Sequence, residues 1–275
     1  MDFKKIWALY FSPTGTTQKI VTEAAGVVAK SFETPLEVFD FTLPSARAAV
    51  PAISSSDFTV LGVPVYAGRV PNVLLKYLAS INGMGAAALP VVLYGNRDYD
   101  DALIELKDIL EEDGFHVLSA AAFVGEHSFS DTLAGGRPDE ADLETAARFA
   151  ERAAEKAKRA RSDEEFKPLR VKGTPKPYRG YYQPRDAAGK AVDLRKVKPL
   201  VSGSCNDCKI CARVCPMGSI SLEDVRVYVG ICIKCGACVK KCPQKARYYD
   251  DASYLNHKRE LEEGLTRRAE PELFI

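Results

Sequence analysis

Along the first 161 residues, short continuous apolar runs alternate with longer stretches of helical periodicity. The runs Ile6 to Phe11, Leu36 to Phe41, Phe58 to Val63, Val91 to Tyr94 and His116 to Val124 are mostly uninterrupted, as strands of a parallel sheet covered on both faces should be. Between them, Thr16 to Ser31, Asn72 to Ile81, Tyr99 to Asp113 and Asp139 to Arg161 read as helices. Five strands alternating with helices predict an α/β fold with a doubly wound parallel sheet. Right-handed crossovers in such a sheet place ligands beyond the carboxyl ends of the strands. Chemistry is therefore expected on the loops after the first, third and fourth strands.

The pattern then changes twice. Residues 162–200 dissolve into prolines and glycines with scattered basic side chains, an extended connector packed through Tyr178, Tyr181 and Tyr182. Residues 201–250 hold an internal repeat: CNDCKICARVCP and CIKCGACVKKCP align at a period of 27 residues, every cysteine and both prolines coinciding. The tail, 251–275, is charged and helical in part.

Composition sharpens this division. At 275 residues and 46% hydrophobic, the chain can bury an ordinary core, and size favours about two domains. All eight cysteines lie between Cys205 and Cys242, which argues against a disulfide-stapled secreted protein and for one local cysteine device. The apolar run near the start is too short for a signal peptide and no run reaches membrane-spanning length, so a soluble cytoplasmic protein without membrane contact is expected. The net charge of +1 hides a division: residues 1–161 carry 16 basic and 22 acidic side chains, and the remainder 22 and 15. The basic residues show no nucleic-acid-binding module, and a solvated linker is the expectation for them.

Cys205, Cys208, Cys211 and Cys215, then Cys232, Cys235, Cys238 and Cys242, repeat the spacing C-x2-C-x2-C-x3-C-P. Three thiolates two residues apart can wrap one face of a cubane cluster. Zinc sites, the alternative, usually pair two knuckles without a third cysteine two residues on. The segment resembles two-cluster bacterial ferredoxin domains, in which the fourth cysteine serves the cluster of the other repeat. That implies two [4Fe-4S] clusters of low potential, one on Cys205, Cys208, Cys211 and Cys242, the other on Cys232, Cys235, Cys238 and Cys215.

Ser12-Pro13-Thr14-Gly15-Thr16-Thr17 follows the first strand and opens a helix, offering hydroxyls and first-turn amides to a phosphate without any lysine. It is neither a Walker loop nor a dinucleotide turn; a Pro-containing turn with a threonine cap is the bland alternative. The hexapeptide resembles the FMN phosphate loop of flavodoxins. That resemblance implies a flavodoxin-like five-stranded sheet of order 2-1-3-4-5, with the loops at Pro64, Val65, Tyr66, Ala67 and Gly68 and at Gly95, Asn96, Arg97 and Tyr99 clasping the isoalloxazine. Tyr66 and Tyr99 are stacking candidates or half-buried loop anchors. Trp7, inside the first strand, belongs to the core. Arg69 and Arg97 stand to neutralise a reduced flavin or to be solvated. His127, after the fifth strand, is a weak catalytic candidate as proton donor; His116 and His257 receive no functional role.

Together these features resemble the family that fuses a flavodoxin-like domain to a two-cluster ferredoxin domain in anaerobic bacteria and archaea. GVPVYAGRVP, YGNRDYDDAL and GEHSFSD look like its own versions of the loops. The resemblance covers roughly residues 3–250 and implies FMN, two clusters and electron transfer to a redox partner. Three readings stand: transfer between clusters and FMN, with the acidic and basic halves attracting each other across the connector; an FMN-dependent oxidoreductase acting on a small acceptor such as a quinone, nitro compound or activated alkene, where His127, Arg69 or Tyr99 serves; and a flavin-free redox-sensing module.

Overall fold

The strand Lys5–Tyr10 (β1) is apolar and buried from Ile6 onward because it lies between two neighbours with helices over both faces. In the computed structural model, which describes residues 3–159, 168–185 and 189–275, β1 leads through Gly15 (φ 93°) into the helix Thr16–Phe32 (α1). Then come the strand Leu36–Asp40 (β2), the strand Asp57–Pro64 (β3), the short helix Leu75–Leu78 (α2), the strand Ala87–Tyr94 (β4) and the helix Ala102–Glu112 (α3). Strands His116–Val117 (β5) and Ala120–Val124 (β6) and the helix Glu140–Arg159 (α4) complete this region.

Strand order is β2-β1-β3-β4-β6, all parallel, with registers such as Ile6↔Leu36, Ile6↔Phe58, Gly62↔Val91 and Tyr94↔Val124. This is the flavodoxin-like doubly wound order. Alternate residues feed two cores. Trp7, Leu9, Leu61 and Val92 face α3, while Ile6, Ala8, Val60 and Leu89 face α1 and α4. Helix α1 sits so close to β3 that a Cβ on Gly62 would come within 2.3 Å of Val21 and 3.0 Å of Thr17, which fixes Thr17 above the strand ends.

Several sequence expectations are corrected. The fifth strand is broken at Leu118–Ser119; the stretch 72–81 is a 3-10 turn (Asn72–Leu74) followed by the four residues of α2; and the edge strand β2 is largely exposed rather than covered. The last two residues predicted for the fourth helix lie outside the described ones.

The second half consists of a ribbon of Leu200–Val201 (β7) against Arg247–Tyr248 (β8), two single-turn helices, Ile210–Arg213 (α5) and Ala237–Lys240 (α6), and a tail that is more than a tail. The tail forms the helix Ala252–Gly264 (α7) and then the strand Glu272–Phe274 (β9), which adds antiparallel to β6 with Ala121 opposite Leu273. Among its described residues the connector is largely exposed but anchored through the three tyrosines expected to pack it. Tyr178 Oη donates to Asp108 at 2.8 Å, Tyr181 Oη to the Val70 carbonyl at 3.1 Å, and the Tyr182 amide to the Ala67 carbonyl at 2.8 Å. The cysteine-bearing segment docks by contact: Lys240 Nζ bonds Glu126 at 2.5 Å and the Ser130 carbonyl at 2.7 Å, and a Cβ on Gly236 would lie 2.6 Å from the Ser128 carbonyl.

Candidate functional site

Beyond the carboxyl ends of β1, β3 and β4 lie two cavities that share Val65, Tyr66, Tyr94, Gly95, His127 and Ser128. A small one of about 60 Å³ begins at Thr14, Thr16 and Thr17 and is also lined by Pro64. A large one of about 560 Å³ adds Ala67, Gly68 and Arg97 and lies within the usual ligand-pocket range. At the small cavity Thr17 Oγ1 is buried without a hydrogen-bond partner, and of the first four amides of α1 only those of Gln18 and Lys19 are met, by Ser12 Oγ and the Gly15 carbonyl. These unmet donors fit a phosphate. Ser12 and Gly15 line neither cavity. Ser12 Oγ accepts from the Gln18 amide at 3.0 Å, and Gly15 supplies the left-handed turn, so both shape the loop.

The loop 66–69 is a tight hairpin in which Tyr66 and Arg69 exchange backbone bonds. A Cβ on Gly68 would strike Asp100 at 2.1 Å. Tyr66 faces both cavities, and burial, reinforced by nearby Cys235 and Cys232, pushes its phenol well above the ordinary value. Arg97 lies over the Tyr182 ring at 4.3 Å, paired with Asp100.

Three candidates are corrected. Asn96 spends its side chain on the C-terminal segment, donating to the carbonyls of Leu265 (2.9 Å) and Arg267 (2.8 Å) and accepting from the Ala269 amide (3.1 Å). Tyr99 is fully buried against Tyr94 and donates to Glu272 at 2.7 Å, away from both cavities. Arg69 is clamped by Glu105 at 2.7 and 2.6 Å between the rings of Tyr178 and Tyr181. His127 does reach both cavities, but burial, with His257, Lys240 and Arg97 nearby, holds its pKa down to about 4. Its Nδ1 accepts from the Phe129 amide at 3.1 Å, which assigns the proton to Nε2. At neutral pH it is a neutral hydrogen-bond donor, not an imidazolium with a proton to give.

Residues that sequence reasoning passed over close the large cavity: Tyr182 and Gln183 from the connector, His257 and Leu261 from α7, and Ile233 and Lys234 from the second cysteine motif. The Tyr181-Tyr182 pair amid prolines was the one available signal.

The cysteines converge on two further hollows. Cys205, Cys208, Cys211 and Cys242 line one; Cys215, Cys232, Cys235 and Cys238 line the other. Each has donors aimed at sulfur or left unmet. The Ala246 amide lies 3.3 Å from Cys242 Sγ, and the Ser219 amide lies 3.3 Å from Cys215 Sγ. The Tyr249 hydroxyl at the second hollow is buried without a partner. Donors of this kind suit a sulfide-rich, anionic cluster.

Residues 204–248 match the 4Fe-4S dicluster domain family. The dicluster segment follows a region whose strand order is flavodoxin-like, so the chain joins those two parts, consistent with electron transfer. Among solved structures it is similar to a flavodoxin from the domain Archaea (16% identity, 56% of this chain and 99% of that one, TM-score 0.41). It is also similar to the Fusobacterium nucleatum flavodoxin bound to flavin mononucleotide (20%, 60% and 100%, TM-score 0.38). No curated protein matches the chain. No helix among the described residues is long and apolar enough to cross a membrane.

Proposed function

We propose that the chain is a cytoplasmic electron-transfer protein that moves electrons between two [4Fe-4S] clusters and FMN for an external redox partner. Cys205, Cys208, Cys211 and Cys242 hold the first cluster, and Cys215, Cys232, Cys235 and Cys238 the second. In this reading 1–161 is the FMN unit, 162–200 the connector, 201–250 the cluster unit and 251–275 the tail, with 181–184 and 191–195 of the connector and His257 and Leu261 of the tail as walls of the flavin cavity. Bound clusters supply one-electron steps and a flavin supplies two-electron chemistry. The observation that carries the reading is a shared wall: Ile233 and Lys234, between two cysteines of the second set, line the 560 Å³ cavity, and Cys235 itself lines its narrow arm.

The protein's own groups then have separate tasks. Thr16, Thr17 and the first two amides of α1 would receive the phosphate. Val65 to Gly68, Gly95 and Arg97 would flank the ring, and His127, whose Nδ1 is taken by the Phe129 amide, would have its Nε2–H to offer. Tyr182, His257 and Leu261 would cover the bound group on the side of the connector and α7. The same walls favour a second reading, reduction of a small acceptor that enters beside Arg97 and Lys234.

Anaerobic loading with FMN, iron and sulfide followed by stopped-flow reduction with dithionite tests the proposal. Flavin reduction should be first order with a rate independent of protein concentration. A rate rising with concentration, or no retained flavin, overturns it.

A further inference from the structure

The internal repeat is preserved in the pairing of its backbone. Val201 opposes Arg247, and at the positions 27 residues away Tyr228 opposes Ile220. The amides of Ser219 and Ala246, another equivalent pair, each lie 3.3 Å from a cysteine sulfur, Cys215 and Cys242. Against this symmetry one exchange stands out. Ile220 lines the second hollow and Arg247 the first.

Arg247 is 3% exposed. Its Nη2 lies 3.3 Å from Cys211 Sγ and also bonds the Val225 carbonyl, and its Nη1 donates to Tyr228 Oη at 3.1 Å. Its Nε has no partner, and no carboxylate among the described residues pairs with it. A buried guanidinium without a carboxylate is costly unless another anion faces it. We propose that Arg247 sets the two clusters apart in redox potential, holding the one on Cys205, Cys208, Cys211 and Cys242 at the higher value; this rests on the ligand sets given above.

The physical reason is charge. Each cluster takes up one electron with no proton and no bond made or broken, so reduction adds a full negative charge. A buried cation bonded to a ligand sulfur stabilises that state. Ile220 offers neither charge nor donor. Lys234 and Lys198 lie near Cys232 of the second site, but neither has a hydrogen bond to a sulfur among the described residues, and Lys234 directs its Nζ to the Cys232 carbonyl at 3.4 Å.

The test is an EPR-monitored potentiometric titration of the full chain loaded with iron and sulfide. Wild type should show two one-electron steps. R247I, which installs the residue of the other repeat, should lower the reduced-to-oxidised ratio of the higher step about tenfold at fixed potential, roughly 59 mV for one electron. The lower step should move by less, because Arg247 bonds Cys211 but reaches Cys238 of the other set through its charge alone; an equal shift of the two steps overturns the proposal. R247K should shift the same step by less, and it decides the matter should R247I fail to load. Both steps unmoved in R247K and R247I, or a shift confined to the lower step, overturns the proposal. An iron and spin count below two clusters in wild type is a separate result: it overturns the ligand sets, and the proposal with them.

Discussion

In the flavodoxin-like region β1, β3, β4 and β6 are walled on both faces by helices, and two hydrophobic layers hold the sheet. In the dicluster segment the buried apolar cluster is Cys211, Ala212, Ile220, Val225 and Cys238, of which two are themselves cysteines. A region that can bury little apolar surface must take its order from elsewhere, and the sulfur-lined hollows are where. One half is therefore a fold that carries a site, and the other a site that organises its fold.

The harshest way to break that comparison is to withdraw iron. Chelation should abolish amide protection across residues 200–250 in hydrogen exchange while β1, β3 and β4 keep theirs. Equal loss in both regions would show that the dicluster segment is not ordered by its clusters.

A smaller effect probes the region that stands alone. His127 titrates near 4 in the folded chain against an ordinary 6.5. Between those values the unfolded chain binds a proton that the folded chain refuses, so stability is full above pH 6.5 and falls as pH drops toward 4. The loss approaches about 3 kcal/mol. Urea titrations at pH 7 and pH 4 should show it, and His127→Asn, which keeps an acceptor for the Phe129 amide, should remove most of it. An unchanged pH slope in that variant places the proton uptake elsewhere.

These two regions also differ in what their sequences disclose. Cysteine spacing is local, and the eight cysteines line two hollows, with Cys215 and Cys242 each on the hollow of the other repeat. The hexapeptide after β1 is local too, and its Thr14, Thr16 and Thr17 line one cavity. Asn96 and Tyr99 were misread because their partners, Leu265 to Ala269 and Glu272, lie some 170 residues away on a segment with no periodicity to announce its docking. Tyr182, read as a packing residue of the connector, and His257, given no role, were not placed at the cavity for the same reason. A wall built from irregular chain has no pattern, only neighbours.

The seam between the regions comes next in size. Lys240 is about one-eighth exposed and bonds Glu126, Asp131 and the Ser130 carbonyl. Lys240→Ala leaves Glu126 half-buried with the Gly136 amide but without its cation, a cost of about 2 kcal/mol at the seam. Limited proteolysis should then cut the dicluster segment faster at low salt, with the difference fading as salt screens the wild-type pair. Equal cutting rates at all salt concentrations would mean that packing at Gly236 against Ser128, not charge, holds the seam.

The smallest effect separates binding from folding at one atom. Thr17 is 1% exposed and its hydroxyl has no partner, so the chain bears the cost of burying it. Thr17→Val keeps the shape against Gly62 and deletes the unmet group. In the flavin-free protein this should leave stability unchanged or raise it by about 1 kcal/mol, because a buried polar group without a bond is unfavourable. FMN affinity should fall about tenfold, some 1.4 kcal/mol, as a phosphate loses one hydroxyl donor. Calorimetric unfolding and a flavin fluorescence titration read the two changes independently. Opposite signs are the signature of a group kept for a ligand rather than for the fold, and a valine that destabilises the apoprotein while binding FMN as before would assign Thr17 to the core instead.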